Sequence, residues 1–262
     1  MPPSRCRYRQ HHFHRERIAD TLAPCMEIAS LGDSALVVRI SNNFAETKEP
    51  SVRDVLAALR AIEAASIPGV TECTPAYGSV AVFFDPAKLP QHRESGEDPF
   101  ASLVQRIRAA LMRSVRTRAA GRRSRLHEVA VCYDSEFGLD TGAVAQHAGL
   151  SITEVVRRHA AAEYHVQCVG FMPGFPYLSG LPRELSMPRR STPRTEVPAG
   201  SVAIGGAQTG IYPAACPGGW NVIGRTAMRL FHPTANPPAR FCAGDRVRFV
   251  QISRAKFDRA AA

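Results

Sequence analysis

The sequence predicts an α+β chain with two unlike parts, an N-terminal ferredoxin-like α/β domain followed by a C-terminal β-barrel. Strand-like and helix-like stretches alternate as far as Tyr133 in the order β-α-β-β-α-β, the split βαβ signature. After Phe171 the helical periodicity fades, and short apolar runs alternate with Gly and Pro, as in an all-β barrel or sandwich. The composition suits both parts: 262 residues, 45% hydrophobic and 21% charged, is ordinary globular sequence.

The elements follow in chain order. Residues 1–25 carry five Arg and three His with little apolar periodicity. They read as a disordered tail, or as sequence upstream of a true start at Met26. Residues 26–125 form the first domain. Ser34–Ile40 alternates as a strand, and Val52, Val55, Leu56, Leu59 and Ile62 repeat at helical spacing within Ser51–Ser66. Pro68-Gly69 turns the chain into strands Val70–Thr74 and Val80–Phe84, and Asp85-Pro86 ends the second. Pro99–Val115 is the second helix, with Val104, Ile107, Leu111 and Val115 on one face, and it runs into an Arg-rich linker. Residues 126–165 supply a strand, Glu128–Tyr133, taken as the last of the ferredoxin-like sheet, and two connecting helices. The first helix ends at Gly149. The second starts on a capping box, Ser151 with Glu154. Residues 166–262 form the barrel, with strands expected at Val202–Ile204, Gly210–Tyr212, Asn221–Ile223, Met228–Phe231 and Arg246–Ile252.

The net charge of +10 would suggest nucleic acid or an acidic membrane surface. Its location argues otherwise. Residues 1–25 contribute a net of +3, residues 106–125 hold eight Arg and no acid, and the rest of the chain is close to neutral. The basic run is a solvated helix face and linker, or a contact for a partner subunit, and neither nucleic acid nor membrane is expected as a partner. Seven scattered Cys without a CxxC pair, and no apolar core behind the first Arg cluster, point to reduced thiols in the cytoplasm. No metal-ligand spacing occurs, so no protein-bound metal is expected.

Candidate site residues concentrate in the Gly/Pro-rich part. Phe171, Pro173, Phe175 and Tyr177 lie on a segment stiffened by three Pro, where aromatic side chains pack or line a cleft. Arg189 and Arg194 sit on a second Pro-punctuated stretch, with guanidinium groups suited to carboxylate or phosphate and with Glu184 or Glu196 as alternative surface partners. Gly205-Gly206 would allow a sharp turn or a close approach to a ligand, with Gln208, Thr209 and Tyr212 following and Arg225 further along. Trp220, the sole Trp, is a core plug or a cleft wall. His159, late on an amphipathic helix, is a packing residue or a base. No Walker A, Rossmann, HExxH or GxSxG motif occurs.

Together these segments resemble one family, the B subunits of 5-oxoprolinase, also called the KipI or allophanate hydrolase subunit 1 family. The residues that carry the resemblance are Gly32-Asp33-Ser34-Ala35-Leu36, Pro75-Ala76-Tyr77, Gly149-Leu150-Ser151, the stretches 170–182, 188–213 and 217–226, and Gly244-Asp245-Arg246-Val247. Phe171-Met172-Pro173 stands where members often have Phe-Ala-Pro, and Asp134-Ser135 replaces a common Gly-Gly. The resemblance implies that the barrel is cyclophilin-like. It also implies an ATP-dependent amide (lactam) hydrolase subunit, inactive alone, that works with the A subunit plus a homologous, KipA-like C subunit to convert 5-oxo-L-proline to L-glutamate, with ATP and Mg as co-substrate. On that reading Arg189, Arg194 and Gly205-Gly206 would receive phosphoryl charge, His159 would act as base and Gln208 would recognise the amide. The alternatives within the family are a KipI-like inhibitor of a histidine kinase and an accessory subunit of urea carboxylase or allophanate hydrolase type.

Overall fold

The computed structural model describes residues 25–41, 51–90, 98–116 and 124–262. All of the expected tail except Cys25, which opens a strand, and most of the Arg-rich linker lie outside these residues. The chain opens with β1 (Cys25–Ser30) and β2 (Ala35–Ser41), an antiparallel hairpin. Helix α1 (Val52–Ala64) follows, capped by the Ser51 hydroxyl, which accepts the Asp54 N–H. Then come β3 (Val70–Pro75), β4 (Ser79–Phe84) and α2 (Pro99–Arg116). The four strands pair in the order β1-β2-β4-β3, all antiparallel. Leu36, Val38, Val80 and Val82 from the sheet meet Val55 and Ile62 of α1 and Leu103, Ile107 and Leu111 of α2 in one core.

This corrects the expected order. The N-terminal unit runs ββαββα, and its edge beside β2 is filled by β1 rather than by the strand after α2. That later strand, β5 (Leu126–Val131), pairs instead in parallel with β13 (Arg246–Gln251), far along the chain. A parallel pair gives no local turn signal, so periodicity alone cannot place it.

Beyond β5 stand α3 (Thr141–Ala148) and α4 (Ile152–Ala161), separated by Gly149 in the left-handed conformation at φ +65°. The Ser151 hydroxyl accepts the Glu154 N–H, but the Glu154 carboxylate turns to Arg157 and Arg158, so only half of the expected capping box forms. Strands β6 (Glu163–Val169), β7 (Pro176–Ser179), β8 (Arg194–Val197), β9 (Ser201–Gly205), β10 (Gln208–Ile211), β11 (Cys216–Gly218) and β12 (Asn221–Arg225) precede β13, and α5 (Arg254–Ala261) ends the chain. Seven of these strands form one sheet in the order β12-β9-β10-β7-β6-β13-β5. Cys132, just past β5, exchanges both backbone hydrogen bonds with Arg225 at the end of β12, at 2.8 and 2.9 Å, and brings the two edges together. The result is a nearly closed barrel, with β8 and β11 as a separate ribbon. Its core joins Val129 and Val131 to Tyr164, Leu178, Ile204, Ile223 and Phe249. The strand of the 126–165 segment is therefore part of the barrel sheet. The strand expected at Met228–Phe231 reduces to a single bridge, Phe231 to Ala239, in a run interrupted by Pro233, Pro237 and Pro238.

Candidate functional site

At one end of the barrel the Gly/Pro-rich segments converge on Phe175. Its ring stands edge-on to Phe171, Tyr177, Tyr212 and Trp220, with centroids 5.6, 4.9, 5.2 and 5.5 Å away. Two glycines make the closest approaches possible. A Cβ at Gly205 would fall 2.6 Å from the Trp220 indole, and one at Gly210 2.8 Å from Phe175. Phe175, Tyr212 and Trp220 are buried and Tyr177 is half-buried. Phe171 differs from them. It is 65% exposed and takes a left-handed backbone at φ +70°, a conformation that costs a non-glycine residue about 1 kcal/mol or more.

Beside this aromatic floor lies a buried carboxylate. Asp140 receives Arg194 through both terminal nitrogens, at 2.7 and 2.9 Å, Arg190 at 2.8 Å and the Val222 N–H at 2.7 Å. Burial works to raise the Asp140 carboxyl. The hydrogen bonds from Arg194 and Val222, with the charges of Arg194 and Arg190, outweigh it and hold the group below its ordinary value. Asn221 completes the frame, its amide donating to the Pro188 carbonyl at 2.9 Å. Arg189 stands apart. Its guanidinium lies 5.8 Å from the Trp220 ring centroid, exposed, with no hydrogen bond or ion pair among the described residues.

His159 is elsewhere, fully buried in the barrel core and stacked on Phe249 at 4.6 Å. The Thr209 hydroxyl donates to the Ala203 carbonyl at 3.0 Å, so it accepts from His159 Nε2 at 3.1 Å. That fixes the tautomer and leaves Nδ1 to accept the Tyr133 hydroxyl at 2.9 Å. Burial pushes the imidazole down to about 3, so the ring is neutral and both nitrogens are engaged. The base expected at this position has neither an open nitrogen nor contact with solvent. Thr209 is a core hydroxyl for the same reason.

The structure thus brings together Phe171, Phe175, Tyr177, Tyr212, Trp220 and Arg189, with Arg194 in the adjoining ion cluster. Exposed Pro173 lies on the same loop. Gln208 sits apart on the β9–β10 hairpin, opposite Gly205. Gly206 occupies that turn at φ +64°, where its N–H donates to the Met187 carbonyl at 2.7 Å. Arg225 is at the far end of β12, its Nε on the Ala199 carbonyl and its guanidinium over Phe137. Of the donors expected for a phosphoryl group, Arg194 is neutralised by Asp140 and the Gly206 N–H is taken, which leaves Arg189 as the open one. Asp140 and Asn221 escaped the sequence reading. The partners expected for the arginines were glutamates close in the chain, but Glu184 pairs with Arg158 and the true partner lies 54 residues upstream. No group of three His, Cys, Asp or Glu that could hold a metal occurs among the described residues.

Comparison with known proteins places this geometry in a family. The carboxyltransferase domain, subdomain C and D, matches residues 26–241. A Bacillus subtilis protein named as the B subunit of 5-oxoprolinase is 42% identical over 87% of this chain and 93% of its own length. The crystal structure of TTHA0988 aligns with 84% of the chain at 34% identity and TM-score 0.66, and the chain spans only 40% of that protein. The Kluyveromyces lactis urea carboxylase aligns with 92% of the chain at TM-score 0.70, but at 18% identity it shares the fold alone, and the match covers 23% of its length. The chain accordingly belongs to the carboxyltransferase-domain family of subdomains C and D, among the B-subunit proteins of 5-oxoprolinase, also known as the KipI or allophanate hydrolase subunit 1 family.

Proposed function

We propose that the chain is the B subunit of an ATP-dependent 5-oxoprolinase that acts with the A and C subunits to convert 5-oxo-L-proline to L-glutamate. The observation that carries this reading is the 42% identity to a 5-oxoprolinase B subunit over nearly the whole of that protein. The chemistry explains the need for ATP. A five-membered lactam is a poor electrophile. Transfer of the γ-phosphoryl group to its amide oxygen activates the ring carbon, water adds there, the C–N bond breaks as the ring nitrogen leaves as the amine, and a second water releases phosphate from the resulting γ-glutamyl phosphate to give glutamate. ATP with Mg is a co-substrate of the assembly. Most of the donors that would cradle its phosphates come from a partner subunit, because of those expected on this chain Arg194 and the Gly206 N–H are already engaged and only Arg189 is open. The cyclophilin-like barrel of this chain contributes the aromatic end and its framed arginine loop, which hold the lactam, and it is inactive alone in the cytoplasm. No helix among the described residues is long and apolar enough to cross a membrane.

The test is glutamate formation from 5-oxo-L-proline by the A and C subunits with ATP, with this chain present and then omitted. Loss of the rate on omission supports the reading, and an unchanged rate overturns it.

A further inference from the structure

Three arginines leave the 188–194 segment, and they differ in what holds them. Arg190 and Arg194 share the Asp140 carboxylate. Arg189 shares nothing, although the chain on either side of it is fixed: the Pro188 carbonyl accepts the Asn221 amide, and the Arg190 N–H donates to the Gly219 carbonyl at 2.8 Å. Asp140 gives the two flanking guanidiniums a partner, so the cluster does not draw on Arg189. A free cation is thus held on a rigid loop over the indole face, and little entropy is lost when it engages a ligand. The Tyr177 hydroxyl forms no hydrogen bond among the described residues and feels the Arg189 charge, as does Tyr212. The strained, exposed Phe171 borders the same floor through Phe175. Two open donors over an aromatic surface suit one class of ligand, a small ring with a carboxylate.

We infer that Arg189 is the carboxylate anchor of this site, with the Tyr177 hydroxyl as second donor and the ring of the acid against exposed Phe171 and half-buried Tyr177. The site itself stands on the geometry. The identity of the acid as 5-oxo-L-proline rests on the proposed function. Guanidinium is the better group here because its planar fork can stack on Trp220 and still present two N–H bonds to a carboxylate.

Trp220 is the sole Trp of the chain, so its fluorescence reports directly on the site. The full chain is titrated with 5-oxo-L-proline and with 2-pyrrolidinone, the same ring without the carboxylate, first alone and then with the A and C subunits. The expected result is saturable binding of 5-oxo-L-proline, at least tenfold tighter than 2-pyrrolidinone, as a charged hydrogen-bonded pair warrants. Arg189→Ala should lose at least tenfold for the acid and nothing for 2-pyrrolidinone, with Arg189→Lys between. Circular dichroism confirms that each variant is folded. Wild-type affinity in Arg189→Ala, equal losses for both ligands, or no binding by wild type in either setting overturns the assignment. Carboxylate-dependent binding without turnover keeps the anchor and removes the oxoprolinase reading, and turnover independent of Arg189 does the reverse.

Discussion

Asp140 sets the electrostatics of the site. Four donors hold its carboxylate in place, and the two guanidiniums reach solvent while the carboxylate does not. Asp140→Asn should therefore cost about 3 kcal/mol by urea unfolding at neutral pH, the scale for removing one side of a buried pair. The pH dependence follows from the direction of its shift. A carboxyl held below its ordinary value of 3.8 contributes stability that is fully present above that pH and is lost as pH falls through the folded value. The variant should lack that acid-limb loss. His159 acts in a separate window. Its folded value of about 3 lies below the ordinary 6.5, so its contribution is intact above pH 6.5. Between 6.5 and about 3 the unfolded chain binds the extra proton, and stability should fall by about 1.4 kcal/mol per pH unit. His159→Gln should flatten that slope when unfolding free energy is measured from pH 7 to pH 4. At this scale the sequence revealed residue types but not partners. Arg194 was legible as an anion-gripping group, whereas its neutralisation by Asp140 depends on a contact across 54 residues. His159 was correctly placed on a helix, but whether it faces solvent or the barrel core is a tertiary fact.

Local pattern determined most helices and most strands of the barrel sheet. Helices α1 to α4 carry apolar spacing, Ser caps or a Gly stop, so their positions could be read directly. β7 and β8 were hidden because Pro and Gly in their neighbourhood read as loop, and α5 because its apolar content is slight. β5 was read as a strand but assigned to the wrong sheet, since its partner lies more than a hundred residues away. Glycines at the aromatic end are better explained by ring packing than by ligand contact. Gly205→Ala places a methyl group against the Trp220 indole. It should cost about 2 kcal/mol, as overpacking does, and shift the Trp220 emission in the folded state. An unshifted spectrum with unchanged stability would mean that β9 does not press on the indole.

Among the described residues one core lies under α1 and α2, a second fills the barrel, and a third, around Phe175, Tyr212 and Trp220, forms the site at the barrel's end. Apart from Arg125, just before β5, the described part of the basic run lies on α2, where Arg106, Arg108 and Arg113 are exposed and Leu103, Ile107 and Leu111 face the core. The family resemblance was legible because the long motifs of the Gly/Pro-rich half are the segments that build the aromatic end and the framed arginine loop. The central claim, that this chain is a stoichiometric part of an oxoprolinase, is tested most directly by titration. With the A and C subunits and ATP held constant, the chain is added in increments and glutamate formation from 5-oxo-L-proline is followed. The account predicts a rate that rises with the chain and levels off at a fixed molar ratio to the partners. A rate that is already full without the chain, or that never rises on its addition, would contradict it.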